Sequence, residues 1–551
     1  MTGIGTVWRT VRHLKAEQLI GRLKFRLVRP AIESGRAPPL RAATGLWVRP
    51  ASREPNLVGP TRFRFLNVEH ALSDIGWDNP AIEKLWRYNQ HYFDDLNATD
   101  GHLREAAHRS LVARWIADSA PGRGTAWEPF PVSLRIVNWV KWFAGGAQPE
   151  PSWIHSLAVQ ARWLRRRLER HLLGNHLFAN AKALFFAGLY FDGDEALEWL
   201  ECGLAILERE LPEQILADGG QFERSPMYHA LALEDLLDLL NVMAWRADPA
   251  SPTRRIEPAL RTRAAQMLYW LRCMSHPDGG IALFNDAADG IAPPNAELER
   301  YAAALGNTAA APPPEGVTSL QPSGYVRMTR GTAVALLDVA PIGPDYMPGH
   351  AHADTLSFEL SLGARRVVVN GGTSCYGLSA QRLRERGTAA HSTVQIGNHD
   401  SSEVWSGFRV GRRARPTDVS VAGWDVEGSH DGWLFMPGAP KHRRHWRMGV
   451  HELWVEDTVT PAPAAAAAVA RYHLAPGLQL QATGGDAWRV LEGGRELARV
   501  EVQCGAADLA PSQHAPRFGV LLPTQALVVR LRGGRAVTRW SWNTDAHPVP
   551  H

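Results

Sequence analysis

The chain has few cysteines and no clear excess of either charge. Its 551 residues include four cysteines that lie far apart, with no C-x-x-C pair among them. This spacing predicts neither a disulfide framework nor a thiolate metal site. The 60 Lys and Arg residues nearly balance the 56 Asp and Glu residues, which leaves a formal net charge of +4. A nucleic-acid-binding protein would carry a strong basic footprint, so nucleic acid is not an expected partner.

Long apolar runs are missing as well. No run reaches the roughly 18 residues that a membrane-spanning helix needs. The first thirty residues contain no short apolar core followed by a small-residue cleavage site, so we expect no secretory signal. We therefore expect a protein without a transmembrane segment that works in the cytoplasm, with the periplasm as the alternative compartment.

The first thirty residues are basic instead. They contain seven Lys or Arg residues and one acid, Glu17, with Val7, Val11 and Leu14 at helical spacing. A basic amphipathic helix can lie on a membrane surface. Such a helix more often packs against its own protein, and that is what we expect here.

The hydrophobic period changes once along the chain. From about residue 75 to 310, apolar residues recur at steps of three and four, which predicts consecutive helical hairpins. Beyond a Pro- and Ala-rich segment, alternating β-branched runs predict a large antiparallel β-sandwich. The predicted organisation is a basic N-terminal segment over 1–60, a helical domain over 61–306, a linker over 307–318 and a β domain over 319–551.

Twenty-one tryptophans are many for a chain of this length. Flat aromatic faces are common in clefts that bind carbohydrate, but tryptophan is also effective core filler. The count alone leaves both interpretations open.

The motif His350-Ala-His352 is the most prominent candidate site. Two histidines two residues apart on an extended segment point to the same face. A strand-like hairpin follows, with Asn370 near its end and His391 beyond it. Three imidazoles and an amide would therefore converge at one end of a sheet.

The helical half offers two further candidates. Asn175 and His176 head an amphipathic helix, where Asn is also a good N-cap. Ser225 followed by Pro226 is a matched N-cap and first-turn pair, which places Tyr228 in the first turn of the next helix. Taken with the histidine motif, these residues predict a site between two domains, where ligand clefts often lie.

Several catalytic motifs are absent from the sequence. It shows no pair of acids in a recognisable motif for ordinary glycoside hydrolysis, no Gly-rich phosphate loop and no G-x-S-x-G elbow. Asn, Tyr and His suit another reaction, the removal of a proton from the carbon next to a carboxylate. Polymers of uronic acid offer that carbon at C5, and the elimination that follows cleaves the chain.

Seven sequence blocks, spread over most of the chain, resemble the heparinase II/III family of polysaccharide lyases, which includes oligoalginate lyases. The blocks are LWRYNQHYFDDL, WEPFPVSLRIVNWVKW, GNHLFANAKALFFAGLYF, GGQFERSPMYH, PDGGIALFND, GHAHADTLSFEL and RGTAAHSTVQI. The resemblance implies a multidomain α-then-β chain, an incomplete α/α toroid followed by an antiparallel β-sandwich. It also implies cleavage of an acidic, uronate-containing polysaccharide or oligosaccharide by β-elimination.

The resemblance implies a role for each candidate residue. Asn175 would pair with the substrate carboxylate, helped by His350. Tyr228 would be the general acid, and also the base when both protons lie on one face. His176 would be the base for the opposite C5 epimer. Substrate contacts are expected from six further residues: Arg135, Glu223, Arg224, His229, Tyr376 and Arg386.

A structural zinc ion is implied at His352, residue 370 and His391. Position 370 is Asn where the family has Asp, and an amide oxygen is a weaker zinc ligand than a carboxylate. Two arrangements stay open: a two-histidine zinc site completed by Asp354 or water, and a metal-free hydrogen-bonded cluster. If bound, the zinc would order the strands that carry His350 and Tyr376.

Two other functions are compatible with the sequence. One is a glycoside hydrolase on an α/α toroid, which would need an acid pair facing the cleft. The other is a non-catalytic protein that binds an exopolysaccharide during assembly or export, since a fold does not fix a function. The identity of the glycan, internal or terminal cutting, the C5 epimer and the oligomeric state, a homodimer included, stay open.

Overall fold

A computed structural model describes residues 3–248, 250–307, 311–463 and 467–543. Its first half is helical, with short 3₁₀ turns between the helices. The α-helices in the described residues are α1 (Ile4–Val11), α2 (Ala16–Leu27), α3 (Leu72–Ile75), α4 (Lys84–Tyr92), α5 (Glu105–Asp118), α6 (Pro129–Ala144), α7 (Pro151–Arg166), α8 (Gly174–Tyr190), α9 (Asp194–Gln214), α10 (Pro226–Trp245), α11 (Glu257–Cys273), α12 (Asn295–Ala304) and α13 (Ala380–Arg386).

The second half is built of strands, and a small sheet precedes the toroid. The strands are β1 (Leu57–Gly59), β2 (Arg62–Phe65), β3 (Val68–Ala71), β4 (Gly316–Leu320), β5 (Tyr325–Arg330), β6 (Ala333–Asp338), β7 (Phe358–Leu362), β8 (Arg365–Val369), β9 (Val394–Ile396), β10 (Val404–Trp405), β11 (Arg409–Val410), β12 (Pro416–Ala422), β13 (Asp425–His430), β14 (Lys441–Met448), β15 (Glu452–Thr460), β16 (Ala468–Leu474), β17 (Leu478–Ala482), β18 (Ala487–Glu492), β19 (Arg495–Cys504), β20 (Ala506–His514), β21 (Leu522–Arg530) and β22 (Arg535–Ser541).

Helices α4 to α12 form an incomplete α/α toroid around one large apolar core. Its central helix, α8, is apolar on nearly all sides and contacts α6, α9 and α10. Fifteen of its 17 residues are buried, and the two exceptions are Asn175 and His176 at its start. Packing in the core therefore fixes the backbone of α8, and only the first turn of this helix is accessible to a ligand.

Two large antiparallel sheets form the β-sandwich. One has the order β12-β13-β14-β15-β22-β19-β18-β17, and the other has the order β20-β21-β16-β8-β7-β6-β5-β4, with β9 added to β16. Side chains alternate between core and solvent, as β14 shows, where every second residue from His442 to Met448 is buried. The predicted fold class is confirmed.

Two local expectations need correction. Strands β1 to β3 lie across the predicted boundary at residue 60 between the basic N-terminal segment and the helical domain, because strands of three or four residues carry little periodicity. The predicted linker lies partly outside the described residues, and its last residues form the start of β4, which pairs with β5. The N-terminal segment is bonded to the toroid: Val48 N donates to Asn241 Oδ1 at 3.0 Å and Ser52 N to Glu297 Oε2 at 3.1 Å.

Candidate active site

A cleft of about 1350 Å³ lies between the toroid and the sandwich. This volume exceeds that of an ordinary small-molecule pocket and suits several sugar units. Six of the predicted site residues line it: Asn175, His176, Glu223, Tyr228, His350 and Tyr376. The cleft therefore brings together residues from both halves of the chain, as the motifs predicted.

Tryptophan does not line this cleft anywhere in the described residues. Nine tryptophans are fully buried instead, in the cores of both domains. The aromatic walls come from Tyr and Phe, such as Tyr88, Phe130 and Phe408. The tryptophan count thus reflects core packing and not carbohydrate stacking.

Asn175 reaches the cleft because helix α8 begins in an unusual way. Leu173 and Gly174 both have positive φ, +64° and +53°. Glycine adopts this positive φ without strain, and a Cβ on Gly174 would lie 2.2 Å from the end of the Met347 side chain, which would have to shift. The alternative that Asn175 caps the helix is wrong, because Leu173 occupies the cap position. Within the described residues the Asn175 side chain makes no hydrogen bond, so its amide is free for a ligand.

His176 is held by a buried acid. Its Nδ1 lies 3.1 Å from Glu169 Oε1, and its ring packs on Phe130 with 4.5 Å between centroids. Burial lowers the pKa of His176, but the charge and hydrogen bond of Glu169 outweigh it and raise that pKa above the usual value. Because a carboxylate accepts the Nδ1 proton, Nε2 is the nitrogen left for the substrate.

Tyr228 stands at the centre of the site. As predicted, Ser225 caps helix α10, and its Oγ accepts from Tyr228 N at 3.2 Å. The Tyr228 ring lies 4.0 Å from the His350 ring, and its hydroxyl lies 3.0 Å from that of Tyr376. Burial raises the pKa of Tyr228 and nearby Asp286 adds to the effect, so the hydroxyl carries its proton at neutral pH.

Asp286 joins both histidines of the motif, a role that no motif in the sequence predicted. Its Oδ2 accepts from His350 Nδ1 and its Oδ1 from His352 Nε2, each at 2.8 Å. Arg382 forms two bonds to the same carboxylate. Burial alone would raise the pKa of Asp286, but the Arg382 charge and the two imidazoles hold it well below its usual range. The available signal was the block PDGGIALFND, which ends at Asp286.

The histidine motif is not part of a strand, which corrects the predicted geometry. Strand β7 begins only at Phe358. Arg386 donates to the carbonyl oxygen of Ala351 at 3.0 Å and fixes the bend between the two histidines. His350 is 14% exposed and reaches the cleft, whereas His352 is fully buried. Both rings bond to Asp286, but His350 faces the cleft and His352 faces the protein interior.

Glu223 is a buried acid that faces the same centre. Its Oε2 has no hydrogen-bond partner in the described residues and lies 3.7 Å from His350 Nε2. Burial raises the pKa of Glu223, with the nearby His350 acting in the opposite direction. The raised pKa favours the protonated carboxyl group, which can donate to an acceptor in the cleft.

Four expected substrate contacts are wrong, because each of these side chains is used by the fold. Arg135 is buried and bonds to Gln160 Oε1 and two carbonyl oxygens. His229 is buried against the Trp270 ring and bonds to a carbonyl oxygen. Arg224 donates to the carbonyl oxygen of Ser323 at 3.0 Å. Arg386, described above, positions the histidine motif.

The predicted zinc ligands lie together behind the cleft. The His352 and His391 rings are buried with centroids 5.2 Å apart. His352 Nδ1 and both nitrogens of His391 have no partner in the described residues, as expected where an ion or water binds. Burial lowers the pKa of each histidine to about 4, so both are in the neutral form that ligates metals.

Asn370 is the weakest of the three predicted zinc ligands. Asn370 Oδ1 already accepts from Ser392 N at 3.1 Å, so it has one lone pair left for a metal. Asp354 does not complete the site, since the described residues contain no group of three His, Cys, Asp or Glu side chains that could hold a metal. The donors therefore fit zinc through two imidazoles, with an amide oxygen or water as weaker ligands.

Comparison with known families identifies the relatives of this arrangement. A model described as Heparinase II/III N-terminus matches residues 106–304, and one described as Heparinase II/III-like, C-terminal, matches residues 312–543. The chain belongs to the heparinase II/III-like family. The two matched regions correspond to the toroid and to the sandwich, and the cleft lies between them.

Individual relatives are distant. A heparin-sulfate lyase of Bacteroides stercoris is 26% identical over 307 residues, 51% of this chain and 45% of that protein. A heparin-sulfate lyase of Pedobacter heparinus is 26% identical over 307 residues, 50% and 44% of the two chains. The aligned region thus spans less than half the length of either relative.

Solved structures of the family share the fold. A heparinase III structure aligns with a TM-score of 0.62 and 17% identity, over 86% of this chain and 82% of its own. The heparan sulfate lyase of Pedobacter heparinus aligns with a TM-score of 0.56 and 18% identity, over 97% and 88%. At this level of identity the likeness shows the fold alone.

Proposed function

We propose that this member of the heparinase II/III-like family is a polysaccharide lyase that cleaves an acidic, uronate-containing glycan by β-elimination. The observation that carries the proposal is the position of Tyr228. Its protonated hydroxyl lies in an oligosaccharide-sized cleft, against a histidine whose orientation Asp286 fixes. Family membership and the lyase names of the relatives support the same reaction class.

The reaction moves one proton from C5 to the leaving oxygen. A base removes the C5 proton, the electron pair forms the C4–C5 double bond, and the bond from C4 to the glycosidic oxygen breaks. Tyr228 would give its hydroxyl proton to that oxygen, and where both groups lie on one face its oxygen would take up the C5 proton as its own proton leaves. For the opposite C5 epimer, Nε2 of His176 would be the base.

The charge that builds on the carboxylate in the transition state needs donors. The free amide of Asn175 would supply one. Glu223, whose pKa burial raises, would supply a second from its protonated form. His350, whose Nδ1 is held by Asp286, would help Asn175 to bind the carboxylate. These groups are largely held by the fold before substrate arrives, which is the condition for effective catalysis.

The charge balance of the cleft favours a substrate with few sulfate groups. Nine Lys or Arg residues and ten Asp or Glu residues line it. Its deep cations are already paired: Lys182 lies 2.6 Å from Asp238, Lys141 lies 3.0 Å from the same carboxylate, and Arg53 bonds to Glu234. A densely sulfated chain would face many carboxylates. Among the described lining residues, only Arg22, Arg409 and Arg517 are cations without an ion pair, so we propose uronate polymers with little sulfation as substrates.

We expect a rise in ultraviolet absorbance when the protein meets the correct uronate polymer, because the new double bond is conjugated with the carboxylate. The panel pairs heparan sulfate with the same polymer after desulfation and N-acetylation, and adds polymannuronate and polyguluronate. The desulfated chain should be cleaved with a kcat/KM at least about tenfold higher, since extra like charges in the cleft are repelled.

Each other outcome has a clear meaning. Faster cleavage of the sulfated polymer would contradict the charge argument but leave the lyase function intact. Shorter products without the double bond would decide for a glycoside hydrolase. Tight binding of a polymer without turnover would decide for an exopolysaccharide-binding protein.

We also propose that His352 and His391 hold a structural zinc ion weakly, since Asn370 replaces a carboxylate. Asn370→Asp should raise zinc affinity by at least about tenfold. Even residues that only hydrogen-bond to metal ligands change metal affinity by this much. Zinc retained after dialysis against a series of chelators, measured by mass spectrometry of the metal, tests this. The double variant Asn370→Asp/His391→Ala is the control and should retain no zinc. Equal, negligible zinc in wild type and Asn370→Asp would mean a metal-free cluster.

A further inference from the structure

The first two helices present an apolar stripe to solvent. The stripe consists of Ile4, Trp8 and Val11 in α1 and Leu19, Leu23 and Leu27 in α2. These side chains are between 41% and 91% exposed and recur at helical spacing on one face of each helix. A surface on which six large apolar side chains are exposed normally marks an interaction site.

The polar sides of these helices, not the apolar ones, face the rest of the protein. In α1, Arg9 donates to Glu403 at 2.8 Å, and Thr10 Oγ1 accepts from Trp405 Nε1 at 3.0 Å. In α2, Gln18 is buried and donates to the carbonyl oxygen of Tyr346 at 3.2 Å. An amphipathic helix of a soluble domain usually has the reverse orientation, with its apolar side on the core. The segment therefore packs against its own protein, as expected, but through its polar side.

Basic residues surround the stripe. Lys24, Arg26 and Arg29 are exposed at the end of α2. The only acid of the first thirty residues, Glu17, lies within 3.4 Å of the guanidinium groups of Arg170 and Arg209. The outward face thus combines apolar side chains with positive charge.

We propose that α1 and α2 dock the protein on an anionic lipid bilayer. The apolar stripe would enter the boundary between head groups and acyl chains, while the basic residues would meet lipid phosphates. A second copy of this chain would place like charges against each other. An acidic glycan would meet the charges but leave the apolar stripe in water.

Docking would also place the active-site cleft at the lipid surface. Gln18 and Arg22 of α2, and Leu14 between the two helices, line the cleft. The protein would then bind its substrate next to the membrane. Membrane attachment is a property separate from the lyase reaction. None of the described helices is long and apolar enough to cross a membrane.

Sedimentation with lipid vesicles tests the proposal. At about 0.1 M salt, the full chain should sediment with phosphatidylcholine vesicles that contain about one third phosphatidylglycerol, and far less with phosphatidylcholine alone. The double variant Trp8→Ser/Leu23→Ser should weaken binding about a hundredfold, because each buried apolar side chain contributes roughly tenfold or more. The variant Lys24→Glu/Arg26→Glu should weaken it by about fivefold or more per charge.

The matched control is Leu103→Ser/Val450→Ser, which removes two exposed apolar side chains outside the stripe, 75% and 56% exposed. It should bind like wild type. Failure of wild type to bind anionic vesicles, or an equal loss in the control, would overturn the proposal. So would a dimer in sedimentation velocity that Trp8→Ser/Leu23→Ser converts to monomer, since a second copy would then cover the stripe. Lyase activity in solution is measured separately, so its absence does not affect this result.

Discussion

Replacing Tyr228 with Phe should reduce kcat by about 10² to 10⁴, the usual contribution of a positioned acid or base. The change removes the hydroxyl that would protonate the leaving oxygen but keeps the ring that packs on His350. KM should change little, because the ring and the rest of the cleft stay in place. The initial rate of absorbance increase on the best polymer of the panel measures both constants.

Tyr346→Phe is the matched control for this experiment. Tyr346 lines the same cleft, but its hydroxyl donates to Glu213 at 2.6 Å and takes no part in the Tyr228 cluster. It should keep nearly full kcat. Full activity in Tyr228→Phe, or an equal loss in both variants, would show that Tyr228 is neither acid nor base. His176→Ala is a second check, because this variant should lose activity only on substrates of one C5 epimer.

Replacing Asp286 with Asn should lower the free energy of unfolding by about 3 to 5 kcal/mol, the usual cost of leaving one partner of a buried ion pair uncompensated. Arg382 is fully buried beside it and would lose its carboxylate. The asparagine also offers one acceptor oxygen where two now serve His350 and His352. Urea denaturation measures the change, and the rate of any folded variant should fall because His350 loses its fixed orientation.

Asp278→Asn is the control for this prediction. Asp278 also pairs with an arginine, Arg366, at 2.7 Å, but it is 32% exposed, so the loss should stay below about 1 kcal/mol. The pH dependence gives a further check on Asp286. Its folded pKa lies well below the ordinary value, so its contribution is fully present above about pH 4 and is lost as the pH falls toward the folded pKa. A loss in Asp286→Asn no larger than in Asp278→Asn would contradict the assigned role.

Local chemistry made the start of helix α10 predictable. Ser225 and Pro226 act on the adjacent backbone, so their pattern predicted both the cap and the place of Tyr228 in the first turn. The same reasoning failed for the next residue, His229, because α10 is apolar on nearly all sides. Its sequence does not show which face turns to the cleft, and His229 lies against the core residue Trp270.

Long-range contacts explain the other errors. The motif His350-Ala-His352 suggested a strand, but its shape depends on Arg386 and on Asp286, 64 residues before it. Arg135 seemed suited to an acidic substrate, yet its partners come from other parts of the toroid. Nothing in a single sequence shows which distant acceptor a charged side chain meets.

Local sequence patterns were enough to predict the order of the domains, the family, and one cleft lined by Asn175, His176, Tyr228 and His350. Periodicity, capping and motif order are local properties, and they are readable without a structure. The three-dimensional arrangement was needed to show that Asp286 and Arg382 hold the histidines, that the cleft is balanced in charge, and that α1 and α2 face their apolar stripe outward. These features arise from packing between distant segments. Burial and charge pairing depend there on contacts between residues that are far apart in the sequence.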